Sequence, residues 1–401
     1  MTLLFRDVRA LTLAGPAGPR RGAALGDLGI RDRVDVLVEG ERVTRIEAGI
    51  RPSADTRVIE GLGRVLMPGF VDSHTHACWS GSRLDEWDQK RAGATYLDIL
   101  RAGGGIMSTV RSVRIASESE LAAGLAGRLA VMAREGTTSL EIKSGYGLST
   151  EHELKMLRAI SVAARSWPGA VVPTALLGHA IDADVPNFVE RVIYDTLPEI
   201  GRVFPGITLD AYCEKGAWSV DETTRLFEQA LSLGHPVRVH ADQFTSLGMT
   251  PRAIALGARS VDHLEATTSD DLVALAESAT FGVALPICGF HLDGRFADAR
   301  RLIDRGGALC IATNCNPGSA PSSSMPLAIA IAVRHLGLSP AEAIGASTIN
   351  PATLLGLHDR GSIEPGKRAD LILLRHRDER ALAFEVGGNP VDVAVIGGRI
   401  V

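Results

Sequence analysis

The sequence predicts an α/β chain, a (β/α)8 TIM-type barrel with a small β domain built from both chain ends. Through the middle of the 401 residues, short β-rich runs alternate with amphipathic helical stretches. That alternation suits parallel strands joined by crossover helices better than a sandwich. Each end carries short alternating strands, too few to make a stable sheet alone, so pairing the two ends solves the problem. Polar residues with chemical potential fall just after the middle strands, where a barrel collects them on one face.

From the N-terminus, MTLLFRDVRALTLAG carries Asp7 and two arginines among its apolar residues, so this stretch is not expected to be a secretory signal. Residues 33–47 (RVDVLVEGERVTRIE) read as a hairpin turning at Glu39-Gly40-Glu41. The barrel strands are expected at Gly69–Ser73, Thr137–Ile142, Val171–Leu177, Thr208–Cys213, Val237–Ala241, Ser260–Leu264, Thr280–Leu285 and Ala308–Ala312. Capping-box spacing marks helix starts at Ser117/Glu120, Thr150/Glu153 and Ser219/Glu222. Gly136 and Gly234 close helices. Residues 368–401 return to strand character, with ADLILL and then VDVAVIGGRIV around Gly397-Gly398. The division is therefore 1–67 and 359–401 for the β domain and 68–358 for the barrel, a size ordinary for that fold.

Composition narrows the function. Hydrophobic residues make up 45% and charged residues 22%, an ordinary globular balance. A net charge of −5 argues against nucleic acid or an anionic membrane surface as partner. No apolar run is long enough for a membrane helix. Cys78, Cys213, Cys288, Cys310 and Cys315 are odd in number and widely spaced, without a CxxC pair. A disulfide frame is not expected, and a reducing cytoplasm fits best.

The chemistry begins at Pro68-Gly-Phe-Val-Asp-Ser-His-Thr-His76. On an extended strand, side chains at i and i+2 share a face, so His74 and His76 can reach one cation. An isolated HxH is weak; ending an apolar strand after a Pro-Gly entry strengthens it. Glu141 and Lys143 follow the second strand, His179 the third, Glu214 the fourth, His240 the fifth, His263 the sixth and Asn314 the eighth.

PGFVDSHTH resembles the metal-binding signature of the amidohydrolase superfamily, and INPATLLGLHDRGSIEPGKRADLILL resembles that superfamily's return to its β domain. Gly81-Ser-Arg83, Gly103-Gly-Gly-Ile106, Lys143-Ser-Gly-Tyr-Gly147, His240-Ala-Asp-Gln243, Asp262-His-Leu-Glu265 and Asn316-Pro-Gly-Ser319 are similar to the imidazolonepropionase family within it. The likeness covers nearly the whole chain. It implies a distorted barrel and hydrolysis of the cyclic amide of 4-imidazolone-5-propanoate to N-formimidoyl-L-glutamate in histidine degradation. It also implies one divalent or trivalent metal ion per subunit, zinc or iron.

His240 is then the third nitrogen ligand beside His74 and His76, and Asn314 a weak one. Three histidines leave a position for water, whose pKa a metal lowers until hydroxide is the nucleophile. The resemblance implies that His263 faces that water or the developing oxyanion, with Gln243 orienting a ring nitrogen or water. Two departures stand out. Many family members have Glu where Gln243 stands, and the superfamily generally has Asp where Asn314 stands. An amide accepts no proton, so proton traffic falls to His263, with Asp242 and Glu265 as further candidates. For the substrate, Arg83 offers a fork to the propionate, and Tyr146, His179, Asn316, Gly318 and Ser319 offer polar contacts. Tyr96 fits a carboxylate contact or helix packing equally. Gly103-Gly-Gly105 is not a nucleotide loop, since no strand leads in and no GK[ST] follows; it reads as a lid. A small-molecule substrate is the expected partner, and a homodimer is compatible with all of this. Two rivals stand beside this reading. An aminoazine or cyclic-urea deaminase would be separated by a substrate panel, and a metal-free binding protein by metal stoichiometry.

Overall fold

The computed structural model describes residues 2–94 and 104–401. Five strands lead in: β1 (Thr2–Leu11), β2 (Ile30–Glu39), β3 (Arg42–Glu47), β4 (Thr56–Glu60) and β5 (Val65–Pro68). Eight follow in the middle: β6 (Phe70–Asp72), β7 (Thr137–Lys143), β8 (Ala170–Gly178), β9 (Thr208–Cys213), β10 (Val237–Ala241), β11 (Ser260–His263), β12 (Phe281–Ala284) and β13 (Leu309–Ile311). The chain closes with β14 (Leu371–Leu374), β15 (Val391–Ile396) and β16 (Arg399–Ile400).

The middle strands form one parallel sheet in sequential order from β6 to β13, with helices in the crossovers. This is the (β/α)8 barrel, and its distortion lies at the seam between first and last strand. There, the ladder gives way to backbone bonds from Asn314 N to His74 O and from His76 N to Cys315 O, both 3.0 Å. Asp72 adds to them, its carboxylate accepting from the Thr313 amide at 3.1 Å and hydroxyl at 2.5 Å. The seam therefore locks the segment carrying His74 and His76 to the one carrying Asn314.

The other sheet mixes both chain ends, in the order β16-β15-β14-β5-β1-β2-β3, with β4 on β1. Its centre is the antiparallel pair β5–β14, where Leu371 faces Pro68. Leu3, Phe5, Val36, Val38, Leu66, Leu371, Leu373 and Val395 pack on one face as its core. Gly40 (φ +60°) turns the first hairpin, and Gly397 and Gly398 (φ +54° and +73°) turn the last, conformations that favour glycine.

Helix starts followed the expected chemistry twice and departed from it once. Ser117/Glu120 and Ser219/Glu222 form complete capping boxes. At the third site the N-cap is Ser149 rather than Thr150. Glu153 is instead drawn into the loop before the helix, with consequences for the site.

Candidate metal centre and active site

His74 and His76 lie just beyond β6 and His240 on β10, all at most 3% exposed. Their Nε2 atoms converge: His76 stands 3.3 Å from His74 and 3.2 Å from His240. Two carboxylates fix the tautomers from behind. His74 Nδ1 donates to Asp262 at 2.5 Å, and His240 Nδ1 to Asp210 at 3.0 Å. With the proton on Nδ1, each Nε2 presents a lone pair. Burial first, and then neighbouring positive groups, hold all three imidazoles well below their usual pKa. Lone pairs this close repel unless a cation lies between them. Tetrahedral coordination at about 2.0–2.1 Å from each nitrogen sets the nitrogens roughly 3.3–3.4 Å apart. The donor set fits a single ion.

Behind the histidines lies a buried ionic cluster. Lys143 Nζ donates to Glu141 at 2.7 Å and to Asp210 at 2.8 Å. Arg238 pairs with Asp262 and donates to Ser73 O at 2.9 Å. Three carboxylates (Glu141, Asp210, Asp262) thus face two basic side chains (Lys143, Arg238), all at most 2% exposed. The formal excess is one negative charge, which a cation between the imidazoles would offset.

Asn314, 2% exposed, sits across the seam from His74 with a left-handed backbone (φ +56°). Its Oδ1 is buried and has no hydrogen-bond partner among the described residues. His263 closes β11 with its ring centroid 5.6 Å from that of His240. Its Nδ1 lies 3.3 Å from Glu265 Oε1. Burial opposes its charge, yet Glu265 and Cys288 together push its pKa up to about 10. Gln243 is held at both ends, accepting from the Tyr212 hydroxyl at 2.8 Å and donating to Cys288 Sγ at 3.4 Å. Asp242, His263, Leu264 and Asn314 all have positive φ (58°, 91°, 76° and 56°). Strain of this kind at strand ends is typical of functional sites.

A second wall faces the histidines. His179 stacks on His76 at 5.0 Å, and Tyr146 lies 5.0 Å from His179. His179 Nδ1 donates to Gly145 O at 2.9 Å, and burial lowers its pKa to about 4. A side chain at Gly145 (φ +106°) would meet that Nδ1 at 2.9 Å, so only glycine lets the imidazole in. Arg83 reaches the same region; a Cβ on Gly318 would lie 3.3 Å from its guanidinium. Arg83 pairs with Glu86 at 2.5 Å, while its Nε is buried without a partner among the described residues. Beyond it opens a cleft of about 510 Å³ lined in part by Trp79, Arg83, Lys90, His291 and Gly318. Asn316 organises its own loop, its Oδ1 accepting from Gly318 N at 2.8 Å and Ser319 N at 2.7 Å. Tyr96 and Gly103 lie outside the described residues.

With this geometry in view, comparison with known proteins is decisive. Residues 65–401 match the amidohydrolase family. Imidazolonepropionase of Herpetosiphon aurantiacus is 43% identical over 97% of this chain and 95% of its own. That of Deinococcus radiodurans is 42% identical over 98% of each. The chain belongs to the imidazolonepropionase family of amidohydrolases. The fold extends further: a triazine hydrolase variant superposes with a TM-score of 0.74 at 15% identity, over 100% of this chain and 94% of that one. The amidohydrolase family is metal-dependent, and this chain has the histidine-rich site to match.

For an imidazolonepropionase-family chain, several site residues escaped sequence reasoning. Asp210, Asp262, Arg238 and Tyr212 received no role, although Asp210 and Tyr212 alternate on β9 as Arg238 and His240 do on β10. That shared i, i+2 face was the available signal. Glu214, singled out by position, braces the neighbouring loop instead, accepting from Phe244 N at 2.8 Å and Thr245 N at 3.1 Å. Asp242 is tied to the hydroxyls of Thr250 at 2.8 Å and Thr267 at 3.0 Å. Those contacts suit loop bracing rather than proton transfer.

Proposed function

We propose that this chain hydrolyses 4-imidazolone-5-propanoate to N-formimidoyl-L-glutamate in histidine degradation, using zinc or iron at its three-histidine centre. The observation that carries this reading is the convergence of three lone-pair-bearing imidazoles, two fixed by carboxylates, in a chain 43% identical to an imidazolonepropionase. His74, His76 and His240 would hold the metal ion, which when bound would supply a Lewis acid for the ring carbonyl and lower the pKa of water. Asn314 Oδ1, buried without a partner among the described residues, would be a further neutral oxygen donor.

The chain's own residues position the rest. Arg83 takes the propionate, its Nε having no partner among the described residues while its other nitrogens bond Glu86 and Thr109. Tyr146 and His179 stack along the ring, and the Asn316–Ser319 turn sets the edge of the pocket. Gln243, with its oxygen on the Tyr212 hydroxyl and one amide hydrogen on Cys288 Sγ, has its other amide hydrogen to orient the ring or the attacking water. Water adds to the carbonyl carbon, the ring C–N bond breaks, and the departing nitrogen takes a proton. Asn314 accepts no proton, so His263 carries it, with Glu265 orienting its ring. Residues 68–358 form the catalytic unit in this reading and 1–67 with 359–401 its β domain, in a cytoplasmic enzyme. Among the described residues no helix is long and apolar enough to cross a membrane.

The reading is tested by a substrate panel at fixed metal loading. Turnover of 4-imidazolone-5-propanoate should exceed that of aminoazines and cyclic ureas. Preference for an aminoazine would replace this reading with a deaminase.

A further inference from the structure

Beyond the three-histidine centre, a second set of donors lies on the outer side of His263. Atoms of His263, Glu265 and Cys288 all fall within 4.8 Å of one another. Glu265 Oε1 faces His263 Nδ1 at 3.3 Å, and its side chain is only 5% exposed. Its buried Oε2 also lies 3.3 Å from His263 Nδ1 and makes no hydrogen bond of its own among the described residues. A small void of about 10 Å³ touches Gln243, Glu265 and Cys288, close to the space that one small bound species requires. The void is also lined by Phe244 and Arg295, which lead towards the surface; Phe244 is 44% exposed.

We propose that His263, Glu265 and Cys288 form a second, inhibitory site for a thiophilic divalent ion such as zinc or cadmium. Thiolate, imidazole and carboxylate together select such ions over magnesium or calcium. Binding displaces the Cys288 thiol proton and the His263 Nδ1 proton. Ligation through Nδ1 holds the imidazole in its neutral form, so His263 can no longer alternate between the neutral and protonated forms that carrying a proton requires. The inhibitory part rests on His263 being the proton carrier proposed above; the site itself does not.

The test is titration of the metal-loaded enzyme with cadmium, following near-ultraviolet thiolate-to-cadmium absorption, bound equivalents and turnover together. The wild type should take up a second equivalent with thiolate absorption and lose activity. Cys288→Ser should keep the first equivalent and weaken the second by at least about 100-fold, since even outer-shell partners contribute 10–100-fold to metal affinity. Glu265→Gln should weaken the second equivalent in the same direction, which keeps the test valid if Cys288→Ser folds poorly. An unchanged second equivalent and absorption in Cys288→Ser would overturn the site. A Cys288-dependent second equivalent that leaves turnover intact would uphold the site and count against His263 as proton carrier.

Discussion

At the scale of single residues, the centre rests on which nitrogen of each imidazole carries the proton. Asp262 and Asp210 settle this for His74 and His240. Asp262→Asn should therefore keep the fold and weaken metal binding by about 10–100-fold, the range for outer partners of histidine ligands. Competition with a chelator at fixed pH measures it; unchanged affinity would mean that the tautomer is set otherwise. Asn314→Asp should act in the opposite direction, because a carboxylate binds a divalent cation more strongly than an amide oxygen. Equal metal loss from wild type and variant would place Asn314 Oδ1 outside the ion's reach. The convergence of His74, His76 and His240 was legible because HxH at a strand end and a histidine on a later strand must meet in a barrel. Asp210 and Arg238 were not, because a charged residue inside a strand gives no sign of its partner until the neighbouring strand is in register.

At the scale of elements, the loop between β7 and the following helix shows how a local rule yields to tertiary demand. Thr150 and Glu153 have capping-box spacing, yet the Glu153 carboxylate accepts from Gly145 N at 2.8 Å, Gly147 N at 2.8 Å and Leu148 N at 2.9 Å. Those three bonds hold Tyr146 beside His179. A Cβ on Gly147 would stand 2.5 Å from Glu153 N, so the loop also depends on glycine for its close approach. Glu153→Ala leaves three backbone donors without their acceptor, and about 2–3 kcal/mol of stability should go with them. KM should rise while bound metal stays constant. A denaturant melt and steady-state kinetics on the same preparation check both, and an unchanged KM would show that Tyr146 does not depend on this loop.

At the scale of the whole molecule, the sequence reading gave the barrel strands in their correct order, most ends lying within a residue or two of those observed. It read hairpins at both ends but passed over β1, the ten-residue strand on which β2, β4 and β5 assemble. TLLFRDVRAL hides its alternation because β1 is irregular, with register shifts against β2 between Phe5 and Ala10. The β5–β14 pairing joins chain ends some 300 residues apart just before the segment bearing His74 and His76. Removing residues 391–401 would expose the edge of β14 and delete Val391, Val395 and Ile396, each at most 4% exposed. At roughly 1.5–3 kcal/mol for each buried side chain, that is about 5–9 kcal/mol, comparable with the total stability of a typical domain. The truncated chain should lose its cooperative thermal transition and its metal together. A barrel that melts as before would show the two sheets to be independent.

The whole enzyme at work offers the most direct test of the central claim, that the three-histidine centre opens the imidazolone ring. The measurement is formation of N-formimidoyl-L-glutamate from 4-imidazolone-5-propanoate, followed by mass spectrometry through metal removal and restoration. The account predicts product from the metal-replete protein, none after chelation, and recovery when zinc or iron is returned at one equivalent per chain. In His240→Ala, restoration should fail. Undiminished product from fully chelated protein, or from metal-free His240→Ala, would contradict it.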